Sequence, residues 1–183
     1  MAQLIYSVIT SLDGFVADRS GRFEWAAPDE QVHAFVNDRE RPIGTYLYGR
    51  RMYEVMKVWQ DIGDDDPVTR DYAELWRAAD KVVYSSTLDA VSTPRSSLHA
   101  SFDPASVRRM LDDAERDVSV GGPTLAAAAL RAGLVDEVQV YLHPVVIGGG
   151  LYYLPQGLPI ALELLDSHRF EGGVVYLRYA ISK

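Results

Sequence analysis

The order of strand-like and helix-like segments predicts an α/β fold. It has three layers (α/β/α), with a mostly parallel central sheet, helices on both faces and an antiparallel C-terminal hairpin. Short apolar, β-branched runs alternate with stretches of helical periodicity through most of the chain. The last two strand-like runs, near 163–169 and 173–181, are separated only by Glu171-Gly172-Gly173, a hairpin signal. No internal repeat, low-complexity tract or linker divides the 183 residues, so a single domain over 1–183 is expected.

The first run, Gln3 to Thr10 (QLIYSVIT), reads as a buried strand, and SLDG after it as a turn. FVAD is a short strand or excursion, followed by a loop carrying Phe23 and Trp25. Pro28, Asp29 and Glu30 open a helix to about 39, because proline suits a first turn and acids suit the positive end of the helix dipole. Thr45 to Tyr48 is a strand closed by Gly49, and Arg51 to Met56 a helix. The polar stretch DIGDDDPVTR reads as an exposed acidic loop before a helix from Asp71 to Ala79. Strands are expected at Lys81–Ser85 and 97–102, then a helix from Asp103 to about Glu115. Asp117–Val120 and Val138–Leu142 are the remaining strands before the hairpin. The helix between them runs to Ala132 and ends at Gly133, suited to a left-handed C-terminal cap. GGGLYYLP reads as a loop.

Hydrophobic residues at 48% and charged residues at 24% are the proportions of an ordinary globular protein. The absence of cysteine excludes disulfides, thiolate metal sites and cysteine nucleophiles, and fits a reducing cytoplasm. MAQLIYSVIT lacks the pattern of a signal peptide, and no apolar run reaches the length of a membrane span. A net charge of −8 opposes nucleic acid and anionic membranes, but leaves room for a local basic site.

Such a site is offered twice. Gly121-Gly122-Pro123-Thr124-Leu125 lies between a buried strand and a helix, where glycines admit a ligand to the backbone and free N–H groups face a phosphate. The same residues would also serve as a plain tight turn, and the third glycine of a Rossmann fingerprint is missing. Gly49-Arg50-Arg51 lies at another strand–helix junction. Two arginines at the positive end of a helix are locally unfavourable unless an anion neutralises them. Ser85, Ser86 and Thr87 follow a strand, and their hydroxyls can bind phosphate or simply cap a turn.

Taken in order, SLDG, GR, the strand ending in SS and the strand–GG–helix resemble the dihydrofolate reductase superfamily. The run SVGGPTLAAAALRAGLVDEVQVYLHPVVIGGG is similar to the reductase domain (RibD C-terminal domain) of the bifunctional riboflavin deaminase-reductase and its stand-alone relatives. SLDGFVAD matches the same subgroup, and no cysteine is present to build a zinc-deaminase site. The resemblance implies a dihydrofolate-reductase-like fold binding NADPH at the carboxyl ends of the strands. It implies that Gly49, Arg50 and Arg51 hold phosphates, and that Ser85, Ser86 and Thr87 lie near the adenosine 2′-phosphate. Gly121, Gly122, Pro123, Thr124 and Leu125 would cover the pyrophosphate, and Ile9, Val16 and Ala17 would line the nicotinamide side.

The implied activity is reduction of a small heterocyclic substrate, as in turning a ribosylamino into a ribitylamino side chain in riboflavin biosynthesis. Aligning Pro28 puts Glu30, with Asp29 beside it, where dihydrofolate reductases carry their substrate-anchoring acid; Asp13 in SLDG is the other candidate. Each is equally an ordinary helix-start or turn acid, and Trp25 and Phe35 could stack on a heterocycle or pack in the core. His33, His99, His143 and His168 lack metal-ligand spacing, so no metal is expected; His143 stands out for preceding Pro144 in the riboflavin-type segment. The acidic run 64–66 reads as a solvated loop. A nucleotide-binding module without turnover, acting as redox sensor or carrier, remains the alternative, as does a dihydrofolate reductase proper. The C-terminal hairpin and LYYLP make a homodimer plausible.

Overall fold

The computed structural model describes residues 2–63 and 66–182. Asp64 and Asp65 of the acidic run lie outside the described residues. The strands are β1 (Leu4–Ser11), β2 (Phe15–Asp18), β3 (Ile43–Gly49), β4 (Asp80–Tyr84) and β5 (Ser96–His99). They continue with β6 (Asp117–Gly121), β7 (Glu137–His143), β8 (Gly150–Tyr152), β9 (Leu162–Arg169) and β10 (Val175–Ile181). The helices are α1 (Glu30–Glu40), α2 (Arg50–Met56), α3 (Pro67–Ala78), α4 (Pro104–Asp113) and α5 (Pro123–Arg131).

The strands form an eight-stranded sheet in the order β5-β4-β3-β6-β1-β7-β10-β9. Strands β5, β4, β3, β6, β1 and β7 run parallel, and β10 and β9 pair antiparallel at one end. Alternation along each strand sends side chains to two faces. Leu4, Tyr6, Leu47, Val120 and Val140 pack with α4 and α5 on one side. Ile5, Tyr46, Tyr48 and Val83 pack with α2 and α3 on the other, where Val32 of α1 joins Tyr141 and Tyr176.

Two elements differ from their sequence reading. GGGLYYLP contains strand β8, which pairs antiparallel with β2 as a separate ribbon. The helix expected from 71 starts at Pro67, because Asp66 caps it by accepting from Thr69 N, and proline tolerates the first turn. Gly133 does close α5 with φ +63°, and Leu134 N bonds Ala129 O as in a Schellman motif.

The face under α1–α3 holds unusual polar burial. Lys81 is 1% exposed and its Nζ donates to the carbonyls of Trp76 and Ala79 at 3.3 and 3.0 Å, lying 4.3 Å above the Trp76 ring. Glu40, at the end of α1, is buried; that burial pushes its carboxyl up to about 7 against the lowering effect of a hydrogen bond from Tyr46.

Candidate active site

Because the central strands are parallel, Gly49, Tyr84, Gly121, Ser11 and His143 all end at one edge of the sheet. Ligands of open α/β sheets bind at such an edge. The helix starts there are pressed together. A Cβ on Gly121 would stand 2.8 Å from the Tyr48 ring, and one on Gly122 would stand 3.2 Å from Met52 Cβ. Gly122 also has φ +87°, which side chains resist. It supplies no side-chain cap to α5, whose first turn therefore keeps free N–H groups.

Arg50 opens α2 and is exposed, and its guanidinium donates to Thr87 Oγ1 at 2.9 Å. That bond ties the α2 start to the loop after β4. Ser85 Oγ accepts from Thr87 N and Leu88 N at 3.2 and 3.0 Å, a hydroxyl turn that leaves Ser86 and Thr87 exposed.

On the other side of β1, the SLDG turn is fastened by its own polar groups. Ser11 Oγ donates to Asp13 Oδ1 at 2.7 Å and accepts from Phe15 N at 2.9 Å. Asp13 also accepts from Ile147 N and Gly148 N at 3.1 and 2.7 Å. Partial desolvation opposes ionisation, but the bonds from Ile147, Ser11 and Gly148 outweigh it and hold the Asp13 carboxyl below its ordinary value.

A cavity of about 290 Å³ lies beyond this turn, among Trp25, Ala27, Asp29, His143, Gly172 and Val174. Asp29 caps α1, accepting Val32 N on Oδ1 at 2.9 Å, while its Oδ2 faces the hairpin turn at Gly172. Trp25 meets His143 edge-on, with ring centroids 6.2 Å apart. Burial lowers the affinity of His143 for a proton, against the raising effects of Asp29 and a backbone contact with Trp25.

The sequence pattern of the RibD C-terminal domain matches residues 2–176. The chain belongs to the RibD C-terminal domain family. Among its relatives, YyaP of Bacillus subtilis strain 168, an uncharacterized protein, is 25% identical over 181 residues, 97% of this chain and 94% of YyaP. A Shewanella sp. PV-4 protein ascribed to riboflavin biosynthesis superposes with TM-score 0.77 at 20% identity, each chain covered completely. The Thermotoga maritima diaminohydroxyphosphoribosylaminopyrimidine deaminase/5-amino-6-(5-phosphoribosylamino)uracil reductase gives 0.67 at 17% identity, over 99% of this chain and 57% of that one. Dihydrofolate reductase of Enterococcus faecalis, complexed with NADP(H), gives 0.64 at 14% identity, over 99% and 97%. The fold is therefore dihydrofolate-reductase-like.

In this RibD C-terminal domain, Gly49, Arg50, Ser85, Thr87 and Gly121–Leu125 share the carboxyl edge of the sheet. Arg51 is exposed on the first turn of α2. Ile9 packs, as do Phe35 and Val36 of α1, against the cluster of Val32, Tyr141 and Tyr176, whereas Val16 and Ala17 lie on the β2–β8 ribbon. Glu30 is exposed at the first position of α1, and Asp29, one residue earlier, faces the cavity. Trp25, Asp29 and His143 are each noticeable in the sequence, but their grouping had no signature there, since three separated segments, 25–29, 143–145 and 172–174, supply the cavity.

Proposed function

We propose that this protein is an NADPH-dependent reductase of a small heterocyclic substrate, of the kind that reduces 5-amino-6-(5-phosphoribosylamino)uracil. The observation that carries this reading is the junction of α2 and α5 at the carboxyl edge, with Arg50 bridged to Thr87. The donor set suits a dinucleotide phosphate: guanidinium groups of Arg50 and Arg51, hydroxyls of Ser85, Ser86 and Thr87, and the open first turn of α5. No carboxylate stands among these residues, and Glu54 on α2 is paired with Lys57 Nζ at 2.5 Å. The family and the Thermotoga relative's named reductase activity support the same assignment.

In this reading Arg50 and Arg51 bind the cofactor phosphates and Ser85–Thr87 hold the 2′-phosphate. Gly121–Leu125 cover the pyrophosphate, and Ile9, Val16 and Ala17 border the nicotinamide. Bound NADPH supplies the hydride. The cavity beside His143 and Asp29 takes the substrate ring and orients it. Asp13 acts as a positioning residue for the loop at Ile147–Gly148, and Glu30 sits at the rim of the substrate side.

Small molecules are the expected partners: the net charge is −8, and no helix among the described residues is long and apolar enough to cross a membrane. A cytoplasmic setting follows from the family reading. A second copy would pair along β9, the sheet's edge strand, where Leu162, Leu164 and Leu165 are exposed.

The test is titration of the protein with NADPH and NADH, followed by cofactor consumption with candidate heterocycles. Micromolar NADPH binding weakened at least tenfold by Arg50→Ala, together with turnover, is the expected result. Binding without turnover on any pyrimidine or dihydropteridine would favour the sensor or carrier reading. No binding of either nucleotide would overturn the cofactor assignment.

A further inference from the structure

Within the cavity group, two nitrogens stand out. His143 is 6% exposed, and both its Nε2 and the indole Nε1 of Trp25 are buried without a hydrogen-bond partner among the described residues. A buried polar atom left unpaired is unfavourable by roughly 1–3 kcal/mol, so sites retain such atoms where something from outside completes them. The contact with the Trp25 backbone accounts for one imidazole nitrogen as donor, which leaves Nε2 as the acceptor in a neutral ring. Trp25 Nε1–H can only donate. An acceptor and a donor thus sit side by side at the wall of one cavity.

Neither nitrogen is exposed, so a ring must shift for a ligand to reach both. Trp25 belongs to a one-turn 3-10 segment, Glu24–Ala26, in which no residue is buried, whereas His143 is anchored in β7 with the register Ser11↔His143. The indole is the side that yields. At Asp29, Oδ1 is engaged by Val32 N, and Oδ2 faces the Gly172 turn at the cavity wall.

We propose that His143 is the specificity-determining residue of the substrate pocket. Its Nε2 accepts a ring N–H of the ligand while Trp25 Nε1–H donates to the neighbouring ligand oxygen. This rests on the reductase reading for the identity of the pocket. The pair selects planar heterocycles that present an N–H next to a C=O, and rejects those in which that nitrogen is alkylated, because the acceptor is then left unpaired.

The probe is 6-aminouracil, with 6-amino-1,3-dimethyluracil as its donor-blocked counterpart, each titrated into the full-length protein with and without NADPH. The ring ¹⁵N signals of His143 are followed in the wild type, and affinity is also measured in His143→Phe and His143→Gln. Expected are a shift of the His143 Nε2 signal with 6-aminouracil alone and affinity lowered about tenfold or more in His143→Phe. His143→Gln, which retains an acceptor, should be affected less. No Nε2 shift at saturation, equal binding of the two uracils, or no binding of 6-aminouracil at millimolar concentration would each overturn the proposal. The wild-type signals decide it even if a variant does not fold. NADPH affinity, measured separately and expected to be unchanged in His143→Phe, reports on the reductase reading instead.

Discussion

Asp13 Oδ2 accepts the backbone N–H of Gly148 at 2.7 Å across a sequence separation of 135 residues. With the bond from Ile147, this staples the SLDG turn to the loop that leads into β8. Asp13→Asn keeps one acceptor oxygen where the carboxylate has two, so faster amide hydrogen exchange is expected at Ile147 and Gly148. Because the folded carboxyl titrates below its ordinary value, the staple is complete at neutral pH and is lost as pH falls through the folded value. Exchange at these amides measured down the acid range checks both points.

Gly122→Ala forces a side chain onto φ +87° and places its Cβ 3.2 Å from Met52 Cβ. Left-handed backbone alone costs about 1–2 kcal/mol for an L-residue. A lower melting temperature is expected, with weaker NADPH binding as the α5 start moves off the α2 start. Calorimetry and nucleotide titration of the same sample separate the two effects.

Glu40 gives the stability curve an unusual slope. Its carboxyl holds its proton up to about pH 7 in the fold but releases it near 4.5 when exposed, so the folded state binds the extra proton between those values. Stability is therefore undiminished by this group below about 4.5, falls as pH rises toward 7, and stays lowered above that. Glu40→Gln removes the charge, and is expected to be more stable than the wild type at pH 8 by as much as about 3 kcal/mol, the order set by the shift. The two proteins should converge near pH 4. Urea denaturation at both pH values is the measurement.

Lys81→Met keeps the volume but leaves the carbonyls of Trp76 and Ala79 without their donor. Loss of about 1–3 kcal/mol is expected from unmet buried acceptors. The near-ultraviolet signal of Trp76, which lies under the ammonium, should change with it.

Most of the fold was readable from local periodicity, because the central strands are short apolar runs and every helix start except that of α2 carries a proline or acid. Strand β8 was hidden because its residues, Gly150 to Tyr152, are a glycine and two exposed side chains. It forms only because Gly150 lets β2 approach: a Cβ there would lie 1.9 Å from the Ala17 carbonyl oxygen. The start of α3 was hidden for the opposite reason, since Asp66-Pro67 serves a turn or a helix start equally well. Of the site, the strand-end glycines and arginines announce themselves by sequence type. The Asp13 staple and the His143–Trp25 pair do not, because contacts across 134 and more residues, or between a ring on a strand and one on a distant 3-10 turn, leave no spacing to count.

The position of β1 sets how this chain can be made. Leu4–Ser11 lies inside the sheet between β6 and β7, bonded to residues 118–119 on one side and 137–143 on the other. As synthesis proceeds from the amino terminus, this apolar segment leaves the ribosome before its partners and waits for neighbours encoded more than a hundred codons downstream. Chain elongation at about 5–20 residues per second imposes a delay of several seconds or more. The sheet consequently closes late and by long-range pairing, the slow kind of folding. The nascent protein spends that interval as a client for whatever shields an exposed β-strand.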